Sequence, residues 1–136
     1  MNNDLPIEQV PVSFLPNPYK TNIWGTQRFV ALNGVKQCLL KNKLQQTPFD
    51  VANCELGAWS AEDHEQRIAF LVINHDQTPI SLDVGVFYFN YNFMQDGYHR
   101  LSAAIYRNET HIPGMFSGNI DLIKEFMRGM HCDLYK

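Results

Sequence analysis

The segment Asp96-Gly97-Tyr98-His99-Arg100-Leu101 brings a carboxylate, a glycine, an imidazole and a guanidinium together at the expected junction of a strand and a helix. The chemistry such a junction offers is anion binding. The first amides of a helix have no internal partner and carry the positive end of the helix dipole, and Arg100 adds a guanidinium suited to phosphate oxygens. Gly97 would let a ligand approach the backbone. His99, with an ordinary pKa near neutrality, can hydrogen-bond or exchange a proton, and Asp96 can cap the helix or hold a divalent ion. The same residues also make an ordinary strand-to-helix connection in which Asp96 is only a turn or cap residue.

The elements around this junction are read from periodicity. Aromatic and β-branched residues from Ile80 to Phe87, continuing toward Phe93, predict central strand material, and Leu101, Ala104 and Ile105 predict a helix from about His99 to Arg107. Val10 to Leu15 reads as a first strand ended by Pro16-Asn-Pro, after a flexible lead over residues 1–9. Asn33-Gly34, between Gln27–Leu32 and Val35–Leu40, predicts a β-hairpin, with a helix over Ala31–Leu44 as the competing reading. Thr47 to Leu56 offers a weak strand. Ser60-Ala-Glu-Asp reads as a capped helix start, with the helix running to about Ile73 and a loop over Asn74–Pro79. His111 to Phe116 suits an edge strand because it contains Pro113, and Asn119 to Met130 predicts a closing helix with Ile120, Ile123 and Met127 on one face. Strands and helices without regular alternation imply an α+β fold, and 136 residues imply one domain.

Composition removes several classes. The net charge of -3, with Lys and Arg scattered, gives no footprint for strong nucleic-acid binding. Cys38, Cys54 and Cys132 have no paired spacing and read as reduced thiols; no histidine pair has zinc-site spacing, so no metal site is expected. The start of the chain lacks signal-peptide character and no run is long enough to span a bilayer, so no membrane partner and a cytoplasmic location are expected. Glu62, Asp63, His64, Glu65 and Arg67 form the most charged stretch. It reads as a solvated helix start, or as a base or metal ligand, or as His64 and Arg67 gripping an anion from adjacent turns. The series Phe87, Tyr88, Phe89, Tyr91, Phe93 reads mainly as core.

With Pro79-Ile-Ser-Leu-Asp-Val, Asp96-Gly-Tyr-His-Arg-Leu-Ser-Ala-Ala, Ile112-Pro-Gly and the early Val10-Pro-Val-Ser-Phe-Leu-Pro-Asn-Pro-Tyr, the chain resembles the ParB/sulfiredoxin-like superfamily. The resemblance covers the C-terminal half and the first strand, and leaves Trp24 to Leu56 unmatched. It implies a mixed sheet packed with a few helices and a Gly-x-[His/Arg]-Arg turn that holds phosphates. Carried onto this chain, Gly97, Tyr98, His99, Arg100 and Ser102 would bind a nucleotide of ATP or CTP type, with Mg2+ as optional companion, and His99 and Asp96 would be the catalytic candidates. Two named activities are not expected. Tyr98 stands where sulfiredoxin has its catalytic cysteine, and Tyr98 and His99 replace the Glu-Arg of partition proteins, whose helix-turn-helix domain has no counterpart in these residues. The expected function is nucleotide or phosphate binding, with hydrolysis or transfer of the phosphate as its extension. Two alternatives stay open: a non-catalytic, phage- or plasmid-associated module that binds a protein partner, and a metal-dependent nuclease that nicks DNA.

Overall fold

Residues 111–117 alternate exposed and buried side chains, which is the period of a strand with one face on a core. In the computed structural model, which describes residues 7–48, 58–86 and 93–130, this strand organises a four-stranded mixed sheet. The strands are β1 (Ile7–Pro11), β2 (Ile80–Asp83), β3 (Met94–Asp96) and β4 (His111–Ser117), in the spatial order β1-β4-β2-β3. β1 pairs antiparallel with β4 from Ile7↔Met115 to Pro11↔His111, and β2 pairs parallel with β4 from Ile80↔Gly114 to Asp83↔Ser117. β3 returns antiparallel along β2. The helices are α1 (Leu32–Leu40), α2 (Ala61–Ile73), α3 (Tyr98–Tyr106) and α4 (Ile120–Met130). The protein is an α+β fold. Among the described residues no helix is long and apolar enough to cross a membrane.

The chain divides into two compact units. The sheet unit comprises Met1–Leu15, Gln77–Gly97 and Thr110–Lys136; the helical unit comprises Pro16–Asp76 and Tyr98–Glu109. Val10, Ile80, Leu82, Val84, Met94, Ile112 and Phe116 are buried in the sheet unit, with Ile123 and Phe126 of α4. The Phe126 ring lies within 6 Å of those of Phe14, Phe93 and Phe116, at 5.9, 4.9 and 5.3 Å between centroids. In the helical unit, Val30, Val35, Cys38, Ala61, Ile68, Ala69, Leu71 and Ala103 form the core.

Several sequence readings change. β1 begins at Ile7, so the lead is shorter than residues 1–9, and Val12–Phe14 is a 3-10 turn in place of the expected end of the strand. The hairpin at Asn33-Gly34 is a helix, α1. Gly34 serves close packing there: a Cβ at this position would lie 2.2 Å from the Glu65 carboxylate carbon. The stretch beginning at Ile80 ends as a strand at Asp83, and Met94–Asp96 pairs back on it. β4 is central, not an edge. Pro113 is tolerated because the pairing with β2 begins one residue later, at Gly114, so no N–H is needed from Pro113 on that side. In α4 the buried positions are Ile123 and Phe126, while Ile120 is exposed. The helices α2 and α3 lie where periodicity placed them, to within a residue. The expected strand from Thr47 to Leu56 falls almost wholly outside the described residues, as do the rings from Phe87 to Tyr91, Cys54 and Cys132.

Candidate functional site

Helix α2 starts on a reciprocal capping box. The Asp63 amide donates to Ser60 Oγ, and the Ser60 amide donates to the Asp63 carboxylate, satisfying two amides that the helix leaves open. The turns that follow bury Ala61, His64, Glu65, Ile68, Ala69 and Leu71. Two positions of an otherwise apolar stripe are thus held by ionisable side chains. Of the expected charged cluster, Asp63 is a cap and Glu62 is exposed. Glu65 is buried, accepting two guanidinium bonds from Arg28 at 2.6 and 2.7 Å and one from the Ala31 amide at 2.8 Å, at the start of α1. Its bond to Arg28 holds that guanidinium's pKa up. Glu65 therefore ties α1 to α2, a structural role.

His64 has a different use. Its Nδ1 lies 2.8 Å from Nε2 of His99 on α3, so one ring nitrogen donates to the other. The two imidazoles lie nearly in one plane, 18° apart with centroids at 5.0 Å. Trp24 covers both, with centroids at 4.4 Å from His64 and 4.8 Å from His99 and an interplanar angle of 19° to each. Trp59 approaches them more steeply, at 5.3 and 5.9 Å, and Tyr98 meets Trp24 edge-on.

This setting keeps the pair neutral. Burial lowers His64 to about 4, against the opposing pull of Asp63 and Glu65. His99 is lowered to about 3, first by burial and then by His64, Arg67 and Arg100. Two guanidinium groups thus bear on one imidazole. They also bear on each other, since Arg100 helps burial to lower Arg67, while Asp76 opposes them. Arg67 is positioned by donating to the carbonyls of Gln45 and Gln46, at 3.3 and 2.9 Å, and by lying over the Phe70 ring. His64 of α2 is thus joined to His99 of α3 by a hydrogen bond, while Arg67 and Arg100 are linked to His99 through the electrostatic effect they have on it.

The remaining candidates fall elsewhere. Gly97 ends the sheet unit with a φ of +108°, and a Cβ there would lie 2.3 Å from Ile80 Cγ2. The space beside this glycine is filled by Ile80, so its need for glycine comes from the turn and the sheet. Asp96 is the last residue of β3, exposed and opposite Ser81. Ser102 is fully buried and its hydroxyl donates to the Tyr98 carbonyl one turn earlier, while its own carbonyl accepts from Tyr19. That hydroxyl is directed into its own helix. Among the described residues no three His, Cys, Asp or Glu side chains gather as a metal site would need.

Trp24, Trp59 and the pairing of His64 with His99 are absent from the sequence reading. A signal was present for His64, which lies four residues before Ile68 and seven before Leu71 on the buried stripe. A cleft of about 810 Å³ opens beside Trp59, lined also by Gly25, Arg28, Ser60 and Glu62. Compared with known family models, curated proteins and solved structures, the chain matches none.

Proposed function

We propose that the helical unit binds a phosphate-bearing ligand, of nucleotide class, beside the His64–His99 pair, with Arg67 and Arg100 supplying the charge. The observation that carries this reading is the 2.8 Å hydrogen bond between His64 and His99 beneath the Trp24 ring, on the two helices that also carry Arg67 and Arg100, whose positive charge adds to burial in lowering His99. A neutral hydrogen-bonded imidazole pair under an indole, with two arginines on the same two helices, offers the kinds of group that a phosphate and a base require. The His99-Arg100 pair of the sequence motif and its likeness to the ParB/sulfiredoxin-like superfamily point the same way, although Gly97 serves the turn and the sheet.

The chemistry of the pair favours binding over proton donation at rest. At neutral pH both imidazoles are uncharged, so the pair holds no imidazolium proton to donate. The cationic donor set suits phosphate oxygens and does not suit a bare Mg2+, which would arrive on the phosphates of the ligand. Hydrolysis or transfer of that phosphate, with His99 accepting a proton, is the activity to assay once binding is found.

Titration calorimetry with ATP, CTP and inorganic phosphate, with and without Mg2+, tests the reading. Binding is expected, and Arg100→Ala should weaken it by about 10- to 100-fold, the range of a charge-assisted hydrogen bond. Absence of binding across this panel by a folded protein would overturn it and favour a module that binds a protein partner.

A further inference from the structure

Beside the contact of α1 with α2 at Gly34 and Glu65 lies a hollow of about 260 Å³, wholly within the helical unit. Helix seams are ordinarily filled by apolar ridges. Here α1 lines the hollow with Gly34, Gln37, Cys38 and its capping Lys41, spaced i, i+3, i+4 and i+7 along one face, and α2 adds Glu62 and Glu65 from adjacent turns. The end of α1 brings in another cation. Asn42, with a φ of +53°, closes the helix in a Schellman turn: its amide donates to the Leu39 carbonyl and the Lys43 amide to the Cys38 carbonyl at 2.9 Å, which returns Lys43 to the hollow. Arg28 completes the wall.

The floor of the hollow is buried and its rim is charged. Glu65, with 2 % of its side chain exposed, can accept about four hydrogen bonds on its two oxygens. Among the described residues it accepts three, from Arg28 and Ala31 on Oε2 and from Arg28 again on Oε1, which leaves one acceptor position on Oε1. Cys38 beside it is a neutral thiol, pushed up by burial and then by Glu65 and Glu62, against Lys43 and Lys41. Arg28 and Glu65 offset each other. Lys41, Lys43 and Glu62 form no ion pair among the described residues, so the hollow keeps two positive charges and one negative. A dicarboxylate alone would meet Glu62 and a diamine alone would meet the cations, whereas a molecule bearing both signs complements each group. We infer that this hollow binds a free α-amino acid with an acidic side chain, its carboxylates held by Lys41 and Lys43 and its ammonium by Glu62 and the open position of Glu65. The hollow lies just below the range of about 300–1,000 Å³ that holds drug-sized ligands, which suits so small a molecule. The inference stands apart from the phosphate-binding reading, since none of His64, His99, Arg67 and Arg100 lines this hollow.

Titration calorimetry of the full chain with L-glutamate, at neutral pH and low salt, tests it. Saturable binding with a Kd below about 1 mM is expected. Glutarate lacks the amine and 1,5-diaminopentane lacks the acids; each should bind at least about tenfold more weakly, the worth of one charge-assisted hydrogen bond. Glu62→Gln should weaken L-glutamate by about tenfold without weakening glutarate, whereas Lys43→Ala should weaken both. Both side chains lie on the exposed rim, so the fold should persist, and circular dichroism checks it. Should either variant fail to fold, backbone 15N spectra of the wild type with L-glutamate give the same answer, the shifts gathering at Gly34, Gln37, Lys41 and Lys43. Failure of L-glutamate to bind the folded protein overturns the inference, as does glutarate binding equally tightly. Binding of L-glutamate that neither variant alters, or shifts that gather elsewhere, overturns it too, because the amino acid then sits outside this hollow.

Discussion

The sheet unit and the helical unit bury different chemistry. Among the described residues the three buried polar side chains, His64, Glu65 and Ser102, all belong to the helical unit, while the core of the sheet unit is apolar. An apolar core is stabilised by area removed from water and is nearly indifferent to pH. Buried ionisable groups depend on their partners and on their protonation state. The contrast makes the helical unit the one whose packing depends on protonation state, and it can be broken from either side.

The largest effect should come from acid. Burial holds both histidines of the pair below their ordinary value of 6.5, so their contribution to stability is complete above that pH and is lost as pH falls toward 4. While the folded pair stays neutral and the unfolded histidines are charged, the slope reaches about 2.7 kcal/mol per pH unit for two protons. Urea unfolding between pH 7 and 5 should show it, and His64→Phe/His99→Phe should flatten the curve by that part. An unchanged slope would mean that the helical unit's polar core does not govern stability.

Gly97→Ala tests the sheet unit. The positive φ and the contact with Ile80 should together cost about 2–4 kcal/mol in denaturant unfolding. A smaller loss would return Gly97 to the role of ligand approach. Gly34→Ala tests the Glu65 tie. In an open helix position this change stabilises by nearly 1 kcal/mol, but here the new methyl meets a carboxylate held by Arg28 and Ala31, so a loss of about 1–3 kcal/mol is expected from thermal or urea melts. Stabilisation would show that the tie yields easily. Smallest is Ser60→Ala, at about 1 kcal/mol for the lost cap, with no change in ligand binding.

Much of the secondary structure is legible because its causes are local. The Ser60–Asp63 cap, the stripe of α2 and the start of α3 depend on residues within a few positions of one another. Asn33-Gly34 misleads for a nonlocal reason, since Gly34 answers to a carboxylate on another helix, and Pro113 misleads because strand order is invisible to a strand's own residues. At the candidate site, His99 and Arg100 are visible as a motif, and Gly97 is visible for a reason that the sheet replaces. The partnership of His64 with His99 spans 35 positions and has no local signature.

Residue types and their periods alone determined that this chain makes an α+β protein with a capped helix at Ser60 and a basic, histidine-bearing turn at the start of α3. Tertiary structure decided which ionisable groups are buried, that His64 and His99 share a hydrogen bond, and that Trp24 covers both imidazoles. The physical reason is range. Helix and strand patterns follow from neighbours along the chain, whereas the protonation state and ligand chemistry of a histidine follow from whatever groups folding brings within a few ångströms.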